Sequence, residues 1–157
     1  MNEVRNLHPD PRCLCERGMW RGQATSDGEK YKYSLVSGQT VGSIAAWHPM
    51  TNQQIAGLVL YARITSDTQA VIDQLSIEGS TTIVKQDGWI AALSGAIASN
   101  RMLGLAQGPF TLCEVGAYTP DDWAKLYDAY QRGDITYPWV AGPRNATAAG
   151  EKGPWEL

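Results

Sequence analysis

Chemistry in a small chain rests on a few side-chain types held at fixed spacing, and thiols and imidazoles come first. Cys13-Leu14-Cys15 and Cys113 make three cysteines, an odd number that fits reduced thiols better than a disulfide framework. His8 precedes them, but the one-residue gap between Cys13 and Cys15 is not the two-residue gap of common zinc knuckles. Cys113 falls far along the chain in a predicted strand, so no metal is expected. Nucleophilic catalysis needs a nucleophile near a base that a third group orients. The histidines are His8, in a proline-rich stretch, and His48, at a strand end before Pro49. A pairing of His48 with Cys113 has only the residue types in its favour.

The carboxylates offer little more. Asp121 and Asp122 belong to a helix start, Asp87 to a turn, and Asp73, Glu78 and Glu114 are scattered over predicted strands. Glycosidase chemistry needs two acids about 5–10 Å apart across a cleft. Residues 38–42 are glycine-bounded but carry no lysine and precede no evident helix, so they form no phosphate cradle. Asn145-Ala146-Thr147 matches a glycosylation acceptor without a signal peptide to give it meaning. Trp20-Arg21 and Tyr31-Lys32-Tyr33 set cations beside aromatics, as single-strand binders do. A net charge of −3 with no basic stripe argues against nucleic acid. The expectation is no catalytic set, no metal and no cofactor.

The elements that would position such residues read mainly as strands. Residues 31–36 alternate after the turn Ser26-Asp27-Gly28, and 41–47 form a second run ended by His48-Pro49. Residues 50–54 read as a turn, and 55–64 as an apolar run with Gly57 inside it. Residues 81–84 and 89–93 flank Asp87-Gly88, a strong hairpin signal. Residues 102–105 and 110–118 add two strands, while 70–75 is ambiguous between a strand and one helical turn. One helix is clear, over 119–132. Thr119 caps it, Pro120 takes the first position, Asp121 and Asp122 face the positive dipole end, and Gly133 stops it. Trp123, Leu126, Tyr127 and Tyr130 form its apolar stripe.

At 157 residues, with 43% apolar side chains, the chain has the size of one domain. No apolar run reaches the roughly 18–20 residues of a membrane span, and residues 1–17 hold no signal-peptide core. A soluble protein made in the cytosol is expected. Charge is unevenly spread: residues 31–118 hold only 9 charged side chains in 88 positions, and the flanks hold the other 20 in 69. Charged residues normally cover a surface, so so poor a middle points to faces covered by another subunit. Residues 1–28 and 138–157 are rich in Pro and Gly without usable periodicity. Such arms lack a core of their own and need a surface to hold them, either a partner or their own domain. Tryptophans are natural anchors there.

The order Ile44-Ala45-Ala46-Trp47, then His48-Pro49-Met50-Thr51-Asn52-Gln53-Gln54, then Ile55-Ala56-Gly57-Leu58-Val59-Leu60 resembles the central segment of lambda-type head decoration proteins of tailed bacteriophages. The resemblance covers residues 44–60. It implies a small, mainly β, non-enzymatic, oligomeric capsid cement protein that clamps capsid subunits, often through an extended arm.

Together these readings give a mainly β fold: a small β-sandwich or barrel with one amphipathic C-terminal helix and extended N- and C-terminal arms. The division is an N-terminal arm over 1–28, a β domain over 29–137 and a C-terminal tail over 138–157. The expected function is a structural virion protein, a capsid decoration or cement protein that binds and stabilises the assembled phage head through its arms, roughly residues 1–25 and 138–157. Its partners would be the major capsid protein and itself, as a homodimer or homotrimer, with neither nucleic acid nor membrane. Its place would be the capsid surface, after synthesis in the host cytoplasm. Leu7, Trp20, Trp139 and Trp155 are the candidate partner-binding residues. The alternatives are another virion part, such as a head–tail connector, tail or fibre protein, or a small carbohydrate-binding or hydrolytic module.

Overall fold

The computed structural model describes residues 4–8, 12–13, 19–20, 22–26, 31–35, 42–47, 50–77, 79–95, 103–105 and 109–140. Its strands are β1 (Met19–Trp20), β2 (Gly22–Ser26), β3 (Tyr31–Leu35), β4 (Gly42–Ile44), β5 (Val59–Thr65), β6 (Ser80–Gln86), β7 (Trp89–Ser94), β8 (Leu103–Leu105) and β9 (Phe110–Tyr118). Three helices join them: α1 (Asn52–Ile55), α2 (Gln69–Asp73) and α3 (Pro120–Gln131). The main sheet has six antiparallel strands in the order β2-β3-β9-β5-β7-β6, and a smaller antiparallel sheet runs β1-β4-β8. The fold is therefore mainly β, as expected. The six-stranded sheet ends on β2 and β6 rather than closing on itself, which removes the barrel alternative.

Local chemistry explains the elements that sit closest to the sequence signals. The hairpin between β6 and β7 turns on Asp87 and Gly88 with φ of 51° and 86°, the paired left-handed conformation that an Asp-Gly step accommodates. In α3 the Thr119 hydroxyl accepts from the Asp122 amide at 3.2 Å, Pro120 opens the helix, and Gly133 leaves it at φ 81°. The ambiguous stretch 70–75 resolves as α2, which buries Val71. Residues 50–54, expected as a turn, instead lead into α1. The Gln54 amide donates to Thr51 Oγ1 at 3.2 Å, and Gln54 Oε1 accepts from the Thr51 amide at 2.8 Å. That reciprocal pair is a capping box, and it tips a four-residue turn into helix.

The central strands of the main sheet, β9, β5 and β7, are buried on both faces over most of their length. On one face Val59, Tyr61, Trp89, Ala91 and Tyr118 pack beneath Trp123, Leu126 and Ala129 of α3. On the other, Leu60, Ala62, Ile90, Ala92 and Leu112 meet Ile44 of β4, Trp47, Ile55 of α1 and Val71 of α2. Covering both faces explains why β5 and β7 read as continuous apolar runs rather than alternating ones.

The described parts of the two flanks lie on this domain. Residues 19–26 supply β1 and β2. Residues 4–8 alternate in and out, with Val4, Asn6 and His8 buried and Arg5 and Leu7 exposed. The Leu7 amide donates to the Ala117 carbonyl at 2.9 Å. Pairing between β3 and β9 ends at Phe110 and Thr111, so this segment lies along the far end of β9 where β3 no longer runs. Residues 138–140 return to the same place, with Val140 buried.

Candidate functional site

The polar centre of the molecule lies on the α3 face of the sheet, where β5 and β9 run side by side. Tyr61 and Arg63 alternate onto that face from β5, and Glu114 stands directly opposite Arg63 on β9. Nε and Nη2 of Arg63 donate to Glu114 Oε1 at 2.9 and 2.7 Å, and the Tyr61 hydroxyl donates to Oε2 at 3.3 Å. The Tyr137 ring lies over the guanidinium at 4.3 Å, and the Trp139 indole donates to the Val115 carbonyl at 2.9 Å. Arg63 and Glu114 remain partly open, at 20% and 9% side-chain exposure, and share a shallow groove of about 250 Å³ with Ile135, Thr136, Tyr137 and Trp139.

Burial and charge shift three groups on this face. Burial pushes the Tyr61 phenol far above its ordinary value, and the neighbouring Glu114 carboxylate pushes it further. Burial does the same to Tyr118, against an opposing hydrogen bond in which its oxygen accepts from the Val140 amide. Both phenols stay neutral. For Arg63, burial works against the charge, but attraction to Glu114 and its hydrogen bonds outweigh that, so the guanidinium is held more firmly protonated. The ion pair, with the Tyr137 ring over its guanidinium, ties β5 to β9 across this face.

A larger groove of about 550 Å³ lies between α2 and the tip of the β6–β7 hairpin, lined by Gln69, Ile72, Asp73, Lys85 and Trp89 among others. The Lys85 ammonium bonds the Asp73 carbonyl across it. Among the described residues no three His, Cys, Asp or Glu side chains converge as a metal site, and no helix is long and apolar enough to cross a membrane.

The residues singled out by sequence are dispersed. His8 is fully buried with its Nε2 at 3.0 Å from the Ala46 carbonyl, and Cys13 is buried in the core beneath the main sheet. Cys113 is half-buried, the extra residue of a bulge where β9 slips against β5 between Arg63 and Ile64. His48 and Cys15 lie outside the described residues, so the proposed His48–Cys113 pairing does too. Of the candidate partner contacts, Leu7 points outward at 37% exposure from a segment whose neighbours are buried. Trp139 is half-buried against its own domain through Val115. Trp20 lies in β1 with its side chain undescribed, and Trp155 lies outside the described residues.

Sequence reasoning missed the Arg63–Glu114 pair, although a signal was present. In a stretch holding only 9 charged residues in 88, one Arg and one Glu inside predicted apolar strands are each other's natural partners. It also missed the exposed outer strand. β6 carries Ile83 at 50% exposure, and Leu93 of the adjoining β7 is 42% exposed opposite Thr81. Comparison with known proteins returns no matching family model, no matching curated protein and no matching solved structure.

Proposed function

We propose that the chain is a structural virion protein, a decoration or cement subunit that binds the assembled head of a tailed phage and also associates with itself. The observation that carries this reading is the surface of its sheet: a charge-poor strand, β6, at one end, with Ile83 exposed on it and Leu93 exposed on the adjoining β7. Apolar side chains beside an unpaired strand edge are costly on a solitary protein and useful on a subunit. The resemblance over residues 44–60 points the same way, and so does the scarcity of charge over residues 31–118.

Within this reading the arms make the shell contact, and the setting of residues 4–8 supports Leu7 as one point of it. Residues 4–8 are pinned to β9 with Leu7 turned outward, so Leu7 presents itself to a partner from a fixed platform rather than from a loose arm. A pre-ordered contact loses less conformational freedom on binding, and repetition over a lattice lets each contact be weak. Deleting residues 1–25 would remove β1, most of β2 and the pinned segment together, so it would damage the domain as well as any contact. A point change at Leu7 is the cleaner probe.

Quantitative mass spectrometry of purified virions tests the reading. A decoration subunit is present in a fixed ratio to the major capsid protein over the whole lattice. A handful of copies per particle would assign the chain to a connector, tail or fibre instead, and its absence from virions would remove the structural reading altogether.

A further inference from the structure

We infer that β6 is the seam at which two copies of this chain pair, edge to edge and antiparallel, to make one continuous twelve-stranded sheet. The inference deepens the self-association in the reading above and takes its biological setting from it. Among the described residues β6 pairs only with β7, which leaves its outer row of amides and carbonyls facing outward. Thr81, Thr82, Ile83, Lys85 and Gln86 are all exposed, and only Ser80 and Val84 are half-buried. Three large apolar side chains are exposed among the described residues; one, Ile83, is on this edge strand and a second, Leu93, is on β7 beside it.

The usual protections of an exposed edge are only partly present here. Proteins guard such strands with proline, with outward lysines or with bulges. β6 has no proline, and its one charged residue, Lys85, sends its ammonium back to the Asp73 carbonyl. A bulge is present, between Thr82 and Val84, and it sets Ile83 outside the β7 ladder while leaving the strand seven residues long.

The occupant follows from the strand's own sequence, Ser-Thr-Thr-Ile-Val-Lys-Gln. Antiparallel pairing with an identical strand about residue 82, 83 or 84 sets Lys85 against Gly79, Thr81 or Ile83 of the other copy. No like charges meet at any of these registers, and β-branched side chains face one another, the favourable cross-strand case. A two-fold axis normal to the sheet also keeps both α3 helices on one face. The half-buried Val84, Tyr127 and Tyr130, which belong to the cluster beneath α3, then flank the seam on both sides. A seven-residue strand spans about 23 Å. A seam of that length buries less than the roughly 800 Å² per partner of a standard stable interface, so pairing is weak and concentration-dependent.

Light scattering over a wide concentration range, paired with hydrogen exchange, tests this on the full chain. The expected result is a mass that climbs from 17.1 kDa toward twice that value, with amide exchange over residues 80–86 slowing in step. Ile83→Lys should hold the mass at that of one chain, while Gln23→Lys, on β2 at the opposite edge of the sheet, should dimerise like the parent. Near-ultraviolet circular dichroism confirms that each variant is folded, and Thr82→Lys replaces Ile83→Lys if the latter is not. A mass fixed at one chain, a trimer, a dimer whose residues 80–86 exchange unchanged, or an Ile83→Lys protein that dimerises normally would each overturn the inference. A dimer that fails to decorate heads would leave the seam standing and sink the function. A monomer that saturates heads would do the reverse.

Discussion

Replacing Asn6 with alanine should cost the fold about 3 kcal/mol, because one buried side chain ties three separate segments together. Its Nδ2 donates to the carbonyls of Val115 and Val140 at 3.1 and 2.9 Å, and its Oδ1 accepts from the amides of His8 and Ala117 at 3.1 and 3.2 Å. Asn6→Ala removes all four bonds. The Val115 carbonyl keeps the Trp139 indole, but the Val140 carbonyl and the His8 and Ala117 amides lose these partners in a buried setting. Leaving a buried polar group unmet costs about 1–3 kcal/mol, and three groups at the low end of that range, where water can relieve part of the loss, give the figure. Against the usual 5–15 kcal/mol of a domain this is a large fraction. Urea unfolding followed by tryptophan fluorescence should show a lower midpoint at unchanged slope, and the melting temperature should fall by about 6–12 °C. Exchange at the Leu7 and Ala117 amides should accelerate more than in β5. A loss under about 1 kcal/mol, or one with no local acceleration, would mean that residues 4–8 are not part of the folded unit.

Three further outcomes follow from the packing. Gly116→Ala places a Cβ 2.5 Å from Cε2 of the fully buried Tyr118 ring, so overpacking should cost about 1–3 kcal/mol, read by chemical denaturation; a neutral result would refute the close packing of that ring on β9. The Ser80 hydroxyl is buried without a hydrogen-bond partner among the described residues, so Ser80→Ala should leave stability unchanged or raise it by up to about 1 kcal/mol, and a clear loss would show a missed partner. Tyr61 and Tyr118 have folded pKa values raised above those of unfolded tyrosine. Their contribution is therefore complete below pH of about 10 and declines above it, by about 1.4 kcal/mol per pH unit for each ring. Phenolate absorbance should show these two rings titrating only as the protein unfolds, and early ionisation of either would contradict their burial.

How much of this was legible in the sequence depended on how local its cause was. The Asp87-Gly88 hairpin, the Thr119 cap and the Trp123-Leu126-Tyr130 stripe are settled within a few residues, and each lies where the sequence places it. The Thr51–Gln54 capping box is equally local, yet the sequence reads residues 50–54 as a turn. The setting of residues 4–8 was not legible, since Asn6 finds its partners 109 and 134 positions away. Likewise Arg63 meets Glu114 across 51 positions, in the register that runs unbroken from Val59 and Tyr118. β1 and β2 are hidden for a related reason: two and five residues long, they carry no period of their own and become strands by pairing with β4 and β3.

The central claim, that this chain is a lattice-bound head subunit, is tested most directly by mixing it with DNA-free heads that lack it and sedimenting the particles over a titration. The account predicts saturable binding at a fixed ratio to the major capsid protein, heads that resist heat or denaturant better once decorated, and loss of binding with Leu7→Lys in a protein that remains folded. Heads that pellet without the chain at every concentration, or that carry it unsaturably and gain no stability, would contradict the claim.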